Sequence, residues 1–557
     1  MPGAHVVVSP ATRLASLAGL VVLLAAWTAL PALGQTPLTH TEDAAPIPRG
    51  MLRLRVTNAW TRYDERYGTG GLLSPLGSEL STDSLGPRQL PRLTNAELGL
   101  QALTRDPSVR LTLGRLAVRS DARIVTTPIA LEYGVTSRLS IGLMVPVVQT
   151  RRTVQVGVNT DSLAAANAGY VPAVQRSAAA TANALVATAY QRAADSLAAL
   201  ISRCSTTPSG SGCAPVVANP AAANAAQQDA QRFAAAVKSL GVDTASALVA
   251  PRAGSALASR IDVERLALNA RLQQYLGAGA GASTSIFFAA TAFSYVDLQG
   301  RVGAPGLLQG PLGGGLDSIR TTERISVGDI ELGAQLLVMD GFQHDSMPLR
   351  ALQSRLSVGA AVRFATSRPD SSRNLVDIGT GDGAGFTLRS ALDLIHGRAG
   401  GTIAAQYVKS LARDVQGALT GDPEAAFLGP VFGPVRRTAG DVLALDVTPR
   451  YLMSDTFGFD LRYGYERRGG ATYDRAAASD PSSPAVGSGA ITMPARTVQR
   501  LGVGMRYSTV DAYQRGEARY PIEVSFAHLG TASGDVGEPK ASRDQIQVRL
   551  FFRLRRP

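Results

Sequence analysis

Phe457-Gly458-Phe459-Asp460-Leu461-Arg462-Tyr463-Gly464-Tyr465-Glu466 is the stretch whose reading decides the fold. Phe457, Phe459, Leu461, Tyr463 and Tyr465 fall on one parity, and the residues between them are charged or tiny. Successive side chains of a β-strand point to opposite faces, so this segment is a strand with one apolar and one polar face. The same alternation recurs outward from it. It covers Leu139 to Val147, Ile330 to Leu336, Leu356 to Phe364, Leu443 to Tyr451, Leu501 to Tyr507, Tyr520 to Phe526 and Ile546 to Phe552.

Soluble sandwiches alternate too, and loop length separates the two cases. Val135-Thr136-Ser137-Arg138, His396-Gly397-Arg398 and Ser454-Asp455 are tight turns; residues 340–349 and 509–517 are shorter connections. Residues 151–321, 367–383, 412–440, 469–495 and 530–543 are long. Short turns on one side and long loops on the other mark a membrane barrel. Strands are expected near 109–119, 122–134, 138–150, 322–339, 350–366, 384–395, 400–411, 441–452, 457–468, 496–508, 518–529 and 544–554, with 51–66 as a further one. Residues 94–104 read equally as a strand or a helix. A lipid-embedded sheet with an open edge leaves backbone groups unsatisfied, so the sheet must close. The expected fold is all-β: a transmembrane antiparallel up-and-down β-barrel of 12–14 strands with an α-helical insertion. Tyr407, Tyr451, Tyr463, Tyr465, Tyr507 and Tyr520 lie near strand ends, where an aromatic girdle sits.

Arg13, the apolar run Leu14 to Trp27 and the small-residue site Ala32-Leu33-Gly34 predict a secretory signal over 1–34, followed by a tail over 35–50. The first barrel strands then occupy 51–160, and the remaining ones 283–557. Between them, residues 161–282 are Ala-rich and lose the alternation. Ser177 to Ile201, Ala221 to Leu240 and Ile261 to Leu276 read as helices, of an extracellular loop or of a plug. Cys204 and Cys213 are the chain's two cysteines. In an oxidising compartment a disulfide is expected, with free thiols or a metal as the other readings.

The chain has 557 residues and a formal net charge of +12. For an exported protein that balance points to bilayer phosphates or lipopolysaccharide rather than nucleic acid. On the polar parity of the strands, Arg363, Arg389, Arg450, Arg462, Arg506 and Arg549 face Asp329, Glu331, Asp393, Asp446, Asp460, Glu466 and Glu523. These are the expected lumen charges; their near balance argues for a narrow or gated lumen. No metal-ligand cluster or cofactor motif is legible. His40, His344, His396 and His528 have no spaced catalytic partners; Asp511 and Asp535 lie in connections distant from His528. No enzyme activity and no cofactor are expected.

Pro128-Ile129-Ala130-Leu131-Glu132-Tyr133-Gly134-Val135-Thr136-Ser137-Arg138-Leu139-Ser140-Ile141-Gly142, followed by Val145-Pro146-Val147, resembles the early hairpin of the meta-pathway phenol-degradation-like outer-membrane proteins. Gly328-Asp329-Ile330-Glu331-Leu332-Gly333 and Leu375-Val376-Asp377-Ile378-Gly379-Thr380-Gly381 resemble its later segments, in the same order. The resemblance implies a channel in the cell outer membrane that passes small, hydrophobic or aromatic molecules. Such a barrel would have the lipid bilayer, lipopolysaccharide, the barrel-assembly machinery and its solute as partners. The other expected function is a structural or adhesive barrel whose insertion binds a partner.

Overall fold

The computed structural model describes residues 43–45, 47–160, 166–341, 352–368, 371, 373–419, 431–475 and 491–553. The expected leader, His40 and His344 lie outside these residues.

Twelve strands form one closed antiparallel barrel. They are β1 Met51–Tyr63, β2 Leu116–Gly134, β3 Leu139–Val158, β4, β5 Gln353–Phe364, β6 Gly385–His396, β7 Ala399–Ser410, β8 Val442–Leu452, β9 Phe457–Arg468, β10 Arg496–Ser508, β11 Ile522–Gly534 and β12 Ser542–Arg553. Strand β4 comes in two pieces, Thr322–Val327 and Ile330–Asp340, both paired to β3. Each strand pairs with its chain neighbours, and β1 closes the ring on β12, with Leu54 opposite Leu550. Closure gives every wall strand two hydrogen-bonded partners, the condition for a sheet in lipid.

The alternation works as the sequence implies. Along β9, Phe459 and Leu461 are exposed on the outer face, while Gly458, Asp460, Arg462, Gly464 and Glu466 are buried on the inner one. Leu131, Leu143, Leu332, Val358, Leu388, Leu501 and Val503 continue the outer belt. Exposed apolar side chains on this scale fit a hydrocarbon solvent, not water. Tyr451, Tyr507 and Tyr520 are exposed at the short-turn end of that belt. Tyr463 and Tyr465 sit further along β9, and Tyr407 at the opposite rim donates to Asp441 at 2.5 Å.

The tight turns, the first and last described residues of the chain and the connection 509–521 share one end. Gly397 in the β6–β7 turn has φ +60°, a conformation a Cβ disfavours and a two-residue hairpin needs. Among the described residues, 64–115, 166–321, 373–384, 431–441, 469–475 and 535–541 share the other end.

Two expectations are corrected, at 109–119 and 530–543, and at 94–104 the helical alternative is the one observed. Residues 109–119 are not a separate strand: Leu111 and Leu113 are buried in a core beyond the wall, and 116–119 open the 19-residue β2. Residues 94–104 form helix α1, Thr94–Thr104. The expected long loop 530–543 shrinks to 535–541, because β11 runs to Gly534 and β12 starts at Ser542.

The Ala-rich region folds into α2 Ala173–Thr206, α3 Pro220–Ser239 and α4 Ala256–Leu276. Among the described residues no helix is long and apolar enough to cross a membrane. The three helices pack on one another, and α3 and α4 also pack on α1, so the cap draws on the 64–115 loop as well. Its core joins Leu100, Leu103, Val186, Tyr190, Leu197, Phe233, Val237, Ile261 and Leu272, and reaches Leu307, Leu316 and Val376. Alanines on facing helices let the backbones approach, and the few large side chains fill what remains. Cys204 and Cys213 form a disulfide at the α2 end, with Cα atoms 5.3 Å apart. The cap stands on the long β2–β3 hairpin: Arg152 of β3 binds Glu79 at 3.3 Å, and Thr82 bridges Leu116.

Candidate functional site

The inner wall of the barrel is lined with charge where a soluble domain would have an apolar core. Arg389 on β6 binds Glu331 on β4 at 2.5 Å across the intervening β5. On β9, Arg462 binds Asp460 at 2.6 Å, and Arg468 pairs with Glu466, which also takes Arg500 of β10 at 2.8 Å. Gly504 makes this possible, since a Cβ there would stand 2.2 Å from Asp460 Oδ1. Arg450 faces Asp460 in register on β8. Asp446 lies between two small interior cavities, one of them bordered by Arg462, Arg500 and Arg543.

Two of the expected lumen charges tie down the rim. Asp329, in the break of β4, accepts from the backbone N–H of Ser367 at 3.0 Å and of Gly383 at 2.9 Å. It pins the 365–384 loop to the barrel mouth. Arg363 donates to Gly383 O at 2.9 Å and to Ser410 Oγ at 3.2 Å beside it.

At the short-turn end the remaining charges meet a piece of chain that is not part of the wall. Arg549 on β12 binds Glu523 on β11 at 3.1 Å, and Arg506 on β10 pairs with the same Glu523. Asp43, from the segment before β1, binds Arg549 at 2.7 Å and lies 3.8 Å from Arg506. One residue on, the Ala44 N–H donates to Asp393 Oδ2 at 2.9 Å, whose other oxygen accepts from Thr402 Oγ at 2.6 Å. Strands β12 and β6 are six positions apart in a twelve-strand ring. Residues 43 and 44 therefore bridge opposite walls. Ala44 and Ile47 are fully buried, and Gly134 at the β2 turn has no Cβ where the Ile47 and Pro48 carbonyls pass. The segment stoppers the barrel.

Above the stopper lies a cavity of about 80 Å³, bordered by Arg55, Glu132, Glu331, Gln335, Arg389 and Asp446. Arg53 and Arg55 on β1 both pair with Glu132 on β2, Arg55 at 3.1 Å. The sequence reading missed Arg53, Arg55, Glu132, Arg468, Arg500, Arg543 and Asp43. For the first two the signal was present: Leu52-Arg53-Leu54-Arg55-Val56 carries the strand parity. At the long-loop mouth, burial pushes the Glu538 carboxyl above its ordinary range, and Arg468 pulls it back only in part.

His528 Nδ1 meets Asp544 Oδ1 at 2.7 Å, a partner the sequence reading did not single out. Both are exposed, on the outer parity of β11 and β12 and away from the lumen. His396 is the last residue of β6, paired with Ala399 beside the tight turn. Among the described residues no group of three metal-ligating side chains is present.

A closed barrel with an apolar belt, aromatic residues at one rim and a charged, stoppered interior defines an outer-membrane β-barrel. No protein-family model and no curated protein sequence matches the chain. Solved structures align with it over most of its length. An outer membrane channel from Pseudomonas putida F1 covers 92% of this chain and 99% of its own, at 9% identity and TM-score 0.37. The toluene transporter of Ralstonia pickettii covers 95% and 97% at 10% identity and TM-score 0.27. A FadL homologue from Pseudomonas aeruginosa covers 95% and 96% at 9% identity and TM-score 0.25. At such scores the function has to be read from the chain's own geometry.

Proposed function

We propose that the protein is a passive, stoppered channel for small molecules in the outer membrane. The observation that carries this reading is the polar cavity inside a closed barrel, shut at one end by residues 43–47, which belong to no wall strand. A barrel serving only as an anchor gains nothing from a charged, ion-paired interior that borders a cavity. Buried charges need good partners to offset desolvation. A removable stopper supplies a gate.

The resemblance to the meta-pathway family adds hydrophobic or aromatic molecules as the solute class. The leader 1–34 would deliver the chain to the barrel-assembly machinery, and the Ala-rich insertion 161–282 would stand outside, facing lipopolysaccharide. Of the thirteen expected lumen charges, Asp329 and Arg363 hold the rim loop, and the others would form the polar lining of the path. No enzyme activity is part of the reading. The test is solute flux in proteoliposomes and conductance in planar bilayers, with and without residues 43–47. The expected result is flux that rises when the stopper is deleted. No flux at any solute size, in either form, would overturn it. A second reading is favoured by Leu185, Val263 and Leu266, which are exposed on the cap helices and suit contact with an outside partner. Under that reading, deleting 161–282 abolishes binding of such a partner and leaves flux unchanged.

A further inference from the structure

Three arginines stand side by side on the outside of the wall. Arg62 of β1 pairs in register with Arg123 of β2, and Arg123 pairs in register with Arg151 of β3. All three are exposed and share the parity of the outward apolar residues of their strands. Cross-strand neighbours stand about 5 Å apart, and like charges in such pairs repel. The protein offsets this only at one end of the row, where Glu323 of β4 lies in register with Arg151 and 3.7 Å from it. Asp121 is the next outward residue of β2 beyond Arg123, and Asp64 follows the end of β1. Neither binds the row: among the described residues no ion pair or hydrogen bond engages the Arg62 or Arg123 side chain. Arg119, on the same face of β2, adds a further exposed cation.

The row follows the long-loop edge of the apolar belt. Two residues nearer the membrane, Trp60 of β1 and Val125 of β2 pair in register, and below them the belt begins with Ile129 and Leu131. Tryptophan at a membrane boundary sits at the height of the lipid headgroups. Arginines one step beyond it therefore stand where lipid phosphates lie. The planar guanidinium fork matches phosphate oxygens, with a charge-assisted hydrogen bond at each contact. A soluble anion would use the guanidiniums alone, whereas a lipid also lays its acyl chains along Trp60, Val125 and the belt. From Arg62 to Arg151 the row spans about 10 Å, more than a single phosphate covers. Short turns on the periplasmic side put this edge of the belt in the outer leaflet.

We propose that Arg62, Arg123 and Arg151 form a site for the phosphates of lipopolysaccharide, a glycolipid whose headgroup carries more than one. The phosphates lie across the three guanidiniums and relieve their mutual repulsion, and the acyl chains pack on Trp60 and the belt beneath. This rests on the orientation in the channel reading above, long loops outward, and it names the point on the wall where the glycolipid is held.

The probes are lipopolysaccharide, the same glycolipid after enzymatic dephosphorylation, phosphatidylglycerol and inorganic phosphate, each added to the detergent-solubilised full chain. Fluorescence of Trp60, beside the row, reads binding. Lipopolysaccharide should shift it, and the other three should not. Arg62→Gln and Arg123→Gln should each weaken lipopolysaccharide binding about tenfold, as the loss of one charge-assisted hydrogen bond implies. Arg467→Gln, on the outward face of β9, should leave it unchanged. Heat-modifiability on a gel checks that each variant forms a barrel; should one fail, the other and the dephosphorylated glycolipid decide. Equal weakening by Arg467→Gln would reduce the effect to overall positive charge and overturn the site. Equal binding of phosphatidylglycerol or of dephosphorylated glycolipid, or a response to inorganic phosphate, would overturn it as well. Solute flux in proteoliposomes keeps the two readings apart. Lipopolysaccharide binding that needs the row, with no flux in any form, would support the site and overturn the channel. Flux with no lipopolysaccharide response in the wild type would overturn the site and leave the channel standing.

Discussion

The two ends of this barrel are closed by different physics. The short-turn end is shut by a few residues held through charge: Asp43 on Arg549, and the Ala44 N–H on Asp393. The long-loop end carries a cap with a packed core of its own, built from α1 to α4 around Tyr190, Leu197 and Phe233 and stapled by Cys204–Cys213. Charge can be exchanged for the charge of a solute, whereas an interdigitated core has no small-molecule substitute. The comparison teaches which end can open. The charged end rests on a few contacts from one short segment, the packed end on a core of many side chains.

The sharpest way to break this contrast is at Arg549. Its guanidinium is the partner of both Asp43 and Glu523. Arg549→Met keeps much of the bulk, takes from Asp43 its 2.7 Å partner and leaves Glu523 to Arg506; removing one member of a buried pair costs about 3–5 kcal/mol. Trp60 on β1 is the one tryptophan after residue 34. Its fluorescence in a urea titration should show the loss as a lowered midpoint of barrel unfolding, with the cap's helical circular dichroism signal unchanged.

Leu197→Ala attacks the other end. Leu197 is fully buried in α2, and truncating such a residue costs about 2–5 kcal/mol. Trypsin should cut the cap of this variant readily while the heat-modifiable barrel band survives. Parallel loss of both would mean that cap and barrel are one cooperative unit.

Replacing both cysteines by serine is expected to be milder, about 2–3 kcal/mol for a short closed loop. The shift should appear in cap melting alone, and reductant should reproduce it on the wild type.

The smallest effect is electrostatic. Burial works against the Asp229 carboxylate, but hydrogen bonds from Arg271 and Arg105 outweigh it and hold the group below its ordinary value of 3.8. A depressed carboxylate contributes stability that is present above the unfolded value and lost as pH falls through the folded one. Cap melting should therefore be flat from pH 7 to about 5 and fall below pH 4. Asp229→Asn should be less stable at pH 7 and lose part of that acid dependence.

Much of this was legible in the sequence because a barrel wall has period two. The alternation at Phe457–Arg468 placed both faces of β9, and Ala-rich composition placed α2, α3 and α4 to within a few residues. The misreading at 109–119 has a physical cause. Leu111 and Leu113 alternate as a strand would, but they serve the cap, because β2 outgrows the membrane and carries soluble structure on its end. The His528–Asp544 pair escaped because neighbouring strands, not neighbouring residues, supply it. Asp43 was illegible for a stronger reason. Its partner lies 506 residues away, and a coil segment threading a lumen has no period to betray it.

The stopper is also covalently attached. Asp43 lies eight residues before Met51, where β1 begins, so when it lets go it stays close by. A group on so short a leash acts at an effective concentration on the order of millimolar. The length of that leash therefore keeps the carboxylate beside its arginines without a single ladder hydrogen bond between Asp43 and the sheet.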